Sequence, residues 1–183
     1  KKILNPFMDE FVKRVQCLRI GNPQLKETEV GPLIHPREVE RVLSWIDEAV
    51  AKGAKLFGGS RLSETTLIPA VLLNPAADAK VSQLEIFGPV TCVYEYEDID
   101  KAIDMANSLP FAFQASVFSE DLAPALRAAE FLAASAVMIN DHSAFRTDWM
   151  PFSGLKQSGY RTGGIPWTMQ DMSQEKMIII KNN

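Results

Sequence analysis

Residues 90–139 read VTCVYEYEDIDKAIDMANSLPFAFQASVFSEDLAPALRAAEFLAASAVMI, and this stretch decides the fold. Val90 to Tyr94 is an apolar run with the look of a strand, and Cys92 inside it reads as a buried, inert thiol. Asp98 is a helix N-cap, followed by Ile99, Ala102, Ile103 and Ala106 at helical spacing. Ala115 to Phe118 is a second strand. Ser119 is read as the next cap, with Glu120 and Asp121 in the first turn and Leu122, Ala125, Leu126 and Ala129 on the inner face. Ala136 to Ile139 is a third strand. Strands alternating with helices across short connections predict an α/β fold with crossover helices and a mostly parallel sheet. Ligands of such sheets gather at the carboxyl ends of the strands.

Asn140 to Met169 starts at such an end and shows no sustained period. Phe145, Trp149, Phe152, Tyr160 and Trp167 argue against disorder, so the segment predicts an ordered loop that folds back and lines something. Gly154, Gly159, Gly163 and Gly164 suit a closely bending backbone. A purely structural loop over a core remains the plainer alternative. Lys176 to Ile180 then reads as an exposed β run able to pair with a partner's edge.

Upstream, Asn5-Pro6 predicts a helix start, with Asp9 and Glu10 in its first turn and an apolar stripe of Phe7, Phe11, Val15 and Leu18. Cys17 falls near its C-terminus, where no amide donors depress a thiol's pKa, and reads as a partly buried small hydrophobe. A second helix opens at Pro36, carries Val39, Val42, Leu43, Ile46 and Val50, and stops at Gly53. Ala54 to Phe57 and Pro69 to Leu73 are short strands.

The totals bound the function. At 183 residues the chain fits one domain, with no internal boundary in view. Lys plus Arg is 19 against 23 Asp plus Glu, a net charge of −4 that disfavours a nucleic-acid binder. Two cysteines make no disulfide framework and point to a reducing, cytoplasmic setting. Two distant histidines with no cysteine at ligand spacing give no metal site, and no apolar run approaches a membrane span. The start at Lys1 suggests a segment of something longer.

Taken by itself, Glu85 in LEIFGPV (84–90) is a loop glutamate beside a core phenylalanine, Phe87. The alternative is a carboxylate that accepts hydrogen bonds from vicinal hydroxyls, as acidic residues do with a ribose. The motifs shift that balance. LEIFGPV resembles the EIFGPV signature of the aldehyde dehydrogenase superfamily, and PFSGLKQSG (151–159) resembles its PFGGxKxSG motif. NSLPFAFQASVFSED, AVMIND and Gly31-Pro32-Leu33 match the family's order between and before them. Leu84, Ser153 and Phe111-Ala112-Phe113 depart from the family's usual residues.

The resemblance implies an oxidoreductase that converts aldehydes to acids with NAD or NADP. A cysteine attacks the aldehyde, hydride passes to the nicotinamide, and a glutamate activates water. Glu85 is implied to bind the nicotinamide ribose and Phe87 to pack by the nicotinamide. Phe145 and Phe152 map to the aldehyde tunnel. The C-terminal strand is implied to join subunits into a homo-oligomer, a dimer or tetramer. The family's nucleophile, its base and its dinucleotide-binding domain match no segment of residues 1–183, and neither Cys17 nor Cys92 aligns with the nucleophile. No catalytic residue is therefore assigned, the chain is read as the C-terminal part of the catalytic domain, and it is expected to be inactive alone. A stand-alone, catalytically dead module for oligomerisation or binding is the alternative. In DHSAFRTDWMPF, with its His142, Arg146 offers a fork for an anionic group, as in members acting on lactaldehyde or phosphonoacetaldehyde. An Arg146–Asp148 ion pair is the structural alternative.

Overall fold

Leu4–Gln16 forms the first helix, α1, in a computed structural model that describes residues 2–182. Lys1 and Asn183 lie outside the described residues. The helix starts earlier than Asn5-Pro6 suggests: Ile3 is its N-cap, without a side-chain bond, and Asp9 and Glu10 fall beyond its first turn. Pro6 still sits where its missing N–H would have had no intrahelical partner. Its buried residue is Met8, while Phe7 and the C-terminal Cys17 are exposed. The thiol is thus a surface group, not the partly buried small hydrophobe that the sequence suggests.

His35 caps α2, Pro36–Ala51, by accepting from the Arg37 amide at Nδ1, 3.1 Å. Val39, Val42, Ile46 and Ala49 are buried, while Val50 turns outward. Gly53 then adopts a φ of +100° and lets the chain double back. Strand β1, Lys55–Gly58, pairs antiparallel with β2, Ala70–Leu73, in the register Lys55 to Leu73. Strand β3, Val90–Val93, pairs parallel with β2, Ala70 opposite Val90. The connection between them carries a one-turn helix, α3, Lys80–Gln83, and the loop that follows it. The α2 stripe packs with Leu67, Ala70 and Leu72 into one core. Each large aliphatic side chain sealed there contributes about 1.5–3 kcal/mol.

The chain falls into two units, one ending at Glu97 and the other starting at Asp98. In the second, Asp98 caps α4, Ile99–Asn107, by accepting from the Asp100 amide at 2.9 Å. Helix α5, Leu122–Phe131, is capped by Asp121 and not Ser119: Asp121 Oδ1 accepts from the Ala123 amide, and Ser119 Oγ accepts from Asp121 itself. Ala125 and Ala128 form its buried face, while Leu122 and Leu126 are exposed. Methyl-sized residues are what let a helix approach strands closely, which the larger leucines would prevent. Strand β4, Phe111–Ala112, pairs antiparallel with β7, Leu155–Lys156. Strand β5, Gln114–Val117, pairs parallel with β6, Ala136–Ile139, across the α5 crossover.

The α/β class is as the sequence predicts, and α5 crosses over between parallel strands of one sheet. Among the described residues the strands gather in three small sheets with two parallel and two antiparallel pairings, in place of one mostly parallel sheet, and α4 joins strands of different sheets. A final helix, α6, Ile165–Asp171, lies within the stretch whose sequence predicts only loop; it follows Gly164, whose φ is +118°, and carries Pro166 in its first turn. Residues 176–180 form no strand within this chain, and Met177 to Ile180 are all exposed.

Candidate functional site

Loop 84–90 presents alternate residues to different surroundings. Ile86 packs on the α2 core, whereas Glu85 and Phe87 on either side are exposed. Phe87 is 75% exposed and holds a φ of +48°, so it is no core phenylalanine. Left-handed backbone at an aromatic residue is uncommon and cluster-prone at binding sites. The loop is pinned at several points. Arg41 Nη2 donates to the Ile86 carbonyl at 2.7 Å, the Ala70 amide donates to the Pro89 carbonyl at 2.8 Å, and Gly88 lies against Val42. Glu85 makes no hydrogen bond or ion pair among the described residues. Both its oxygens are therefore free to accept from a ligand's hydroxyls. A ribose diol beside a flat ring fits a free carboxylate and an exposed aromatic two residues apart.

The second unit holds the aromatic loop. Asn140, with a φ of +58°, ends β6 and ties it to the end of β5: its Oδ1 accepts from the Ser119 amide and its Nδ2 donates to the Ser119 carbonyl. The loop therefore leaves from the carboxyl ends of two parallel strands. Phe152 is fixed by a reciprocal pair of main-chain bonds with Gly163, at 3.0 and 2.7 Å. Its ring meets Phe113 edge-on at 5.0 Å, and the Arg146 guanidinium lies 4.4 Å over it. Arg146 forms no ion pair with Asp148 or any other described carboxylate, so the structural alternative for it fails. Phe145 sits on a turn in which its amide donates to the His142 carbonyl at 3.1 Å, and it is exposed.

Lys156 locks the PFSGLKQSG turn. Its Nζ donates to the carbonyls of Asn107 and Leu109 at 2.6 and 2.8 Å. Within the turn, a Cβ on Gly154 would collide with the Ser158 carbonyl, which makes that glycine obligatory. Ser153 is half-buried there. Cys92 lies half-buried in β3, where its Sγ donates to the Val81 carbonyl at 3.7 Å and burial pushes its pKa up, which disfavours the reactive thiolate.

The structure thus brings Arg146 to Phe152 and adds Phe113, which sequence reasoning passed over because it read only as a departure from a motif. It also adds Arg41 behind Glu85 and Phe87. No sequence pattern marks that link, because its partners lie 45 residues apart.

A family model described as the aldehyde dehydrogenase family matches residues 1–178. A 3-sulfolactaldehyde dehydrogenase of Priestia aryabhattai is 34% identical over 97% of this chain and 37% of its own length. A lactaldehyde dehydrogenase of Methanococcus maripaludis is 34% identical over the whole of this chain and 39% of its own. Among solved structures, a glyceraldehyde-3-phosphate dehydrogenase of Methanocaldococcus jannaschii complexed with NADP superposes with a TM-score of 0.92 at 34% identity, over 100% of this chain and 40% of that one. Aldehyde dehydrogenase 21 of Physcomitrella patens, in complex with the reaction product succinate, gives a TM-score of 0.89 at 34% identity, over 94% of this chain and 36% of that one. The chain therefore spans well under half the length of the relatives it matches.

Proposed function

The chain belongs to the aldehyde dehydrogenase family, and from that premise we propose that it forms the C-terminal part of the catalytic domain of an NAD(P)-dependent enzyme that oxidises a small, anionic aldehyde to its acid. The observation that carries this reading is Glu85, a carboxylate without a protein partner on a pinned, exposed loop beside Phe87. When bound, the nicotinamide dinucleotide supplies the hydride acceptor. Glu85 accepts hydrogen bonds from the ribose hydroxyls and so fixes the sugar's orientation. The Phe87 ring offers the nicotinamide an apolar face and keeps water from it. A cofactor that is either NAD or NADP fits a relative complexed with NADP, since neither residue reads the adenosine end.

Phe145 and Phe152 line the aldehyde's path, and Arg146 supplies the charge for an anionic substituent. Relatives named for sulfolactaldehyde, and one bound to succinate, support an anionic substrate. Positioning and covalent catalysis need a nucleophile and a base that the resemblance places outside this chain, so the chain alone is inactive. The exposed run Met177 to Ile180 supplies an edge for pairing with another subunit.

The test compares the chain alone with the complete polypeptide that carries it, following the absorbance of the reduced nicotinamide with lactaldehyde and sulfolactaldehyde. Turnover is expected from the complete polypeptide only, with a raised cofactor KM in Glu85→Gln. Turnover by the chain alone contradicts the assignment of the nucleophile. No turnover by either leaves the catalytically dead module as the reading.

A further inference from the structure

We propose that Arg41 is the positioning residue of loop 84–90: by holding the Ile86 carbonyl it fixes the backbone from which Glu85 and Phe87 reach a nicotinamide riboside. The inference rests on the cofactor-contact reading of Glu85.

The guanidinium of Arg41 is constrained on three sides. Its Nε donates to Glu38 Oε2 at 2.8 Å, its Nη2 donates to the Ile86 carbonyl at 2.7 Å, and its plane stands 4.5 Å over the Trp45 ring. Glu38, Arg41 and Trp45 are spaced by three and four residues on α2, which places them on one face. A planar fork held by both a carboxylate and a ring loses little freedom when it makes the third contact. The same Arg41 bond, helped by Arg37, holds the Glu38 carboxyl below its ordinary pKa, so this anchor stays charged through the neutral range.

The loop's other anchors leave one degree of freedom open. The Ile86 side chain sits on the core, Gly88 abuts Val42, and the Pro89 carbonyl accepts from Ala70. None of these fixes the peptide plane between Ile86 and Phe87. That plane begins with the Ile86 carbonyl, and it sets Phe87 in a left-handed conformation that a bulky aromatic seldom adopts. Released, the peptide would relax and swing the side chains on both sides of it. Among the described residues, Arg41 is the side chain that holds it.

The test uses the complete polypeptide and steady-state kinetics of Arg41→Met, Arg41→Lys and Glu85→Gln, each checked by thermal melting. Arg41→Met is expected to raise the cofactor KM on the order of tenfold and to leave the aldehyde KM unchanged. Arg41→Lys keeps one donor without the fork and should recover part of the loss. A fall in kcat with both KM values unchanged would mean a merely structural role and would overturn the inference. So would an unchanged cofactor KM in Arg41→Met while Glu85→Gln raises it, and in that case the cofactor-contact reading itself survives. If Glu85→Gln has no effect, reading and inference fall together. Should Arg41→Met not fold, Arg41→Lys decides, because a cofactor KM equal to wild type overturns the proposal.

Discussion

Arg146 and Phe152 form a face-on pair, the guanidinium carbon 4.4 Å from the ring centroid, with no carboxylate among the described residues competing for the charge. The ring orients the fork without neutralising it, and the planar donors stay available for an anion. Arg146→Met in the complete enzyme should lower kcat/KM for sulfolactaldehyde by about ten- to a hundredfold, the scale of one lost charge-assisted contact. A neutral aldehyde of similar size should change by less than about threefold. Equal losses for both would remove Arg146 from substrate recognition.

Two glycines in the first unit separate backbone strain from collision. Gly53 has a φ of +100° and nothing within 4 Å of where a Cβ would stand, whereas Gly58 has a φ of +72° and a Cβ there would strike the Pro69 carbonyl. Gly53→Ala is expected to cost about 1–2 kcal/mol from the left-handed backbone alone. Gly58→Ala adds overpacking of about 1–3 kcal/mol. Urea unfolding should therefore rank the two variants clearly, and equal midpoints would contradict the close approach of β1 to β2.

How much of this was legible beforehand depends on where the determining contact lies. Helix α2 could be read because Val39, Val42 and Ile46 recur at helical spacing behind Pro36, a wholly local signal. The caps were harder. Asn5-Pro6 carries the right chemistry two residues too far in, and Ser119 and Asp121 are both capping residues, of which the one adjacent to Leu122 prevails. Helix α6 is seven residues long behind Gly163-Gly164, too short for a period to show. Within the site, Glu85 and Phe87 are visible as a motif and otherwise read as a loop and a core residue. Arg41 and Phe113 are invisible in sequence, because their partners Ile86 and Phe152 reach them only through the tertiary fold.

A charge cluster at the end of α2 predicts the pH response. Lys52 Nζ stands 3.0 Å from both Glu48 and Asp78, and Lys80 is 3.6 Å from Glu48. The Lys52 hydrogen bonds hold both carboxyls below their ordinary values, and those of Asp78 and then Glu48 raise the Lys52 ammonium. The carboxylates' contribution is present above their unfolded pKa, near 4.5 for Glu48, and is lost as pH falls through the depressed folded value. The Lys52 contribution is present below 10.5 and is lost as pH rises through its raised folded value. Lys52→Met should flatten both limbs of a plot of unfolding midpoint against pH. Parallel curves for wild type and variant would rule the cluster out as their source.

Two of the apolar surfaces exposed among the described residues should behave differently. On α1, Phe7 stacks on Phe11 at 5.4 Å with Phe7 exposed; at the other end Met177, Ile178, Ile179 and Ile180 are each at least 75% exposed. Contiguous apolar surface of this kind drives association. The chain by itself is expected to run as oligomers in light scattering, and a monomer at tens of micromolar, a concentration at which patches of this kind associate, would end the argument. Ile178 and Ile180 share one face of an extended run. The double change to lysine should therefore block edge pairing in the complete enzyme and dissociate its subunits. Phe7→Ser with Phe11→Ser should instead leave the subunit number unchanged and lower the melting temperature, if the α1 stripe packs inside one subunit. Dissociation by the α1 pair would reverse that assignment and make the helix, not the terminal run, the contact between copies.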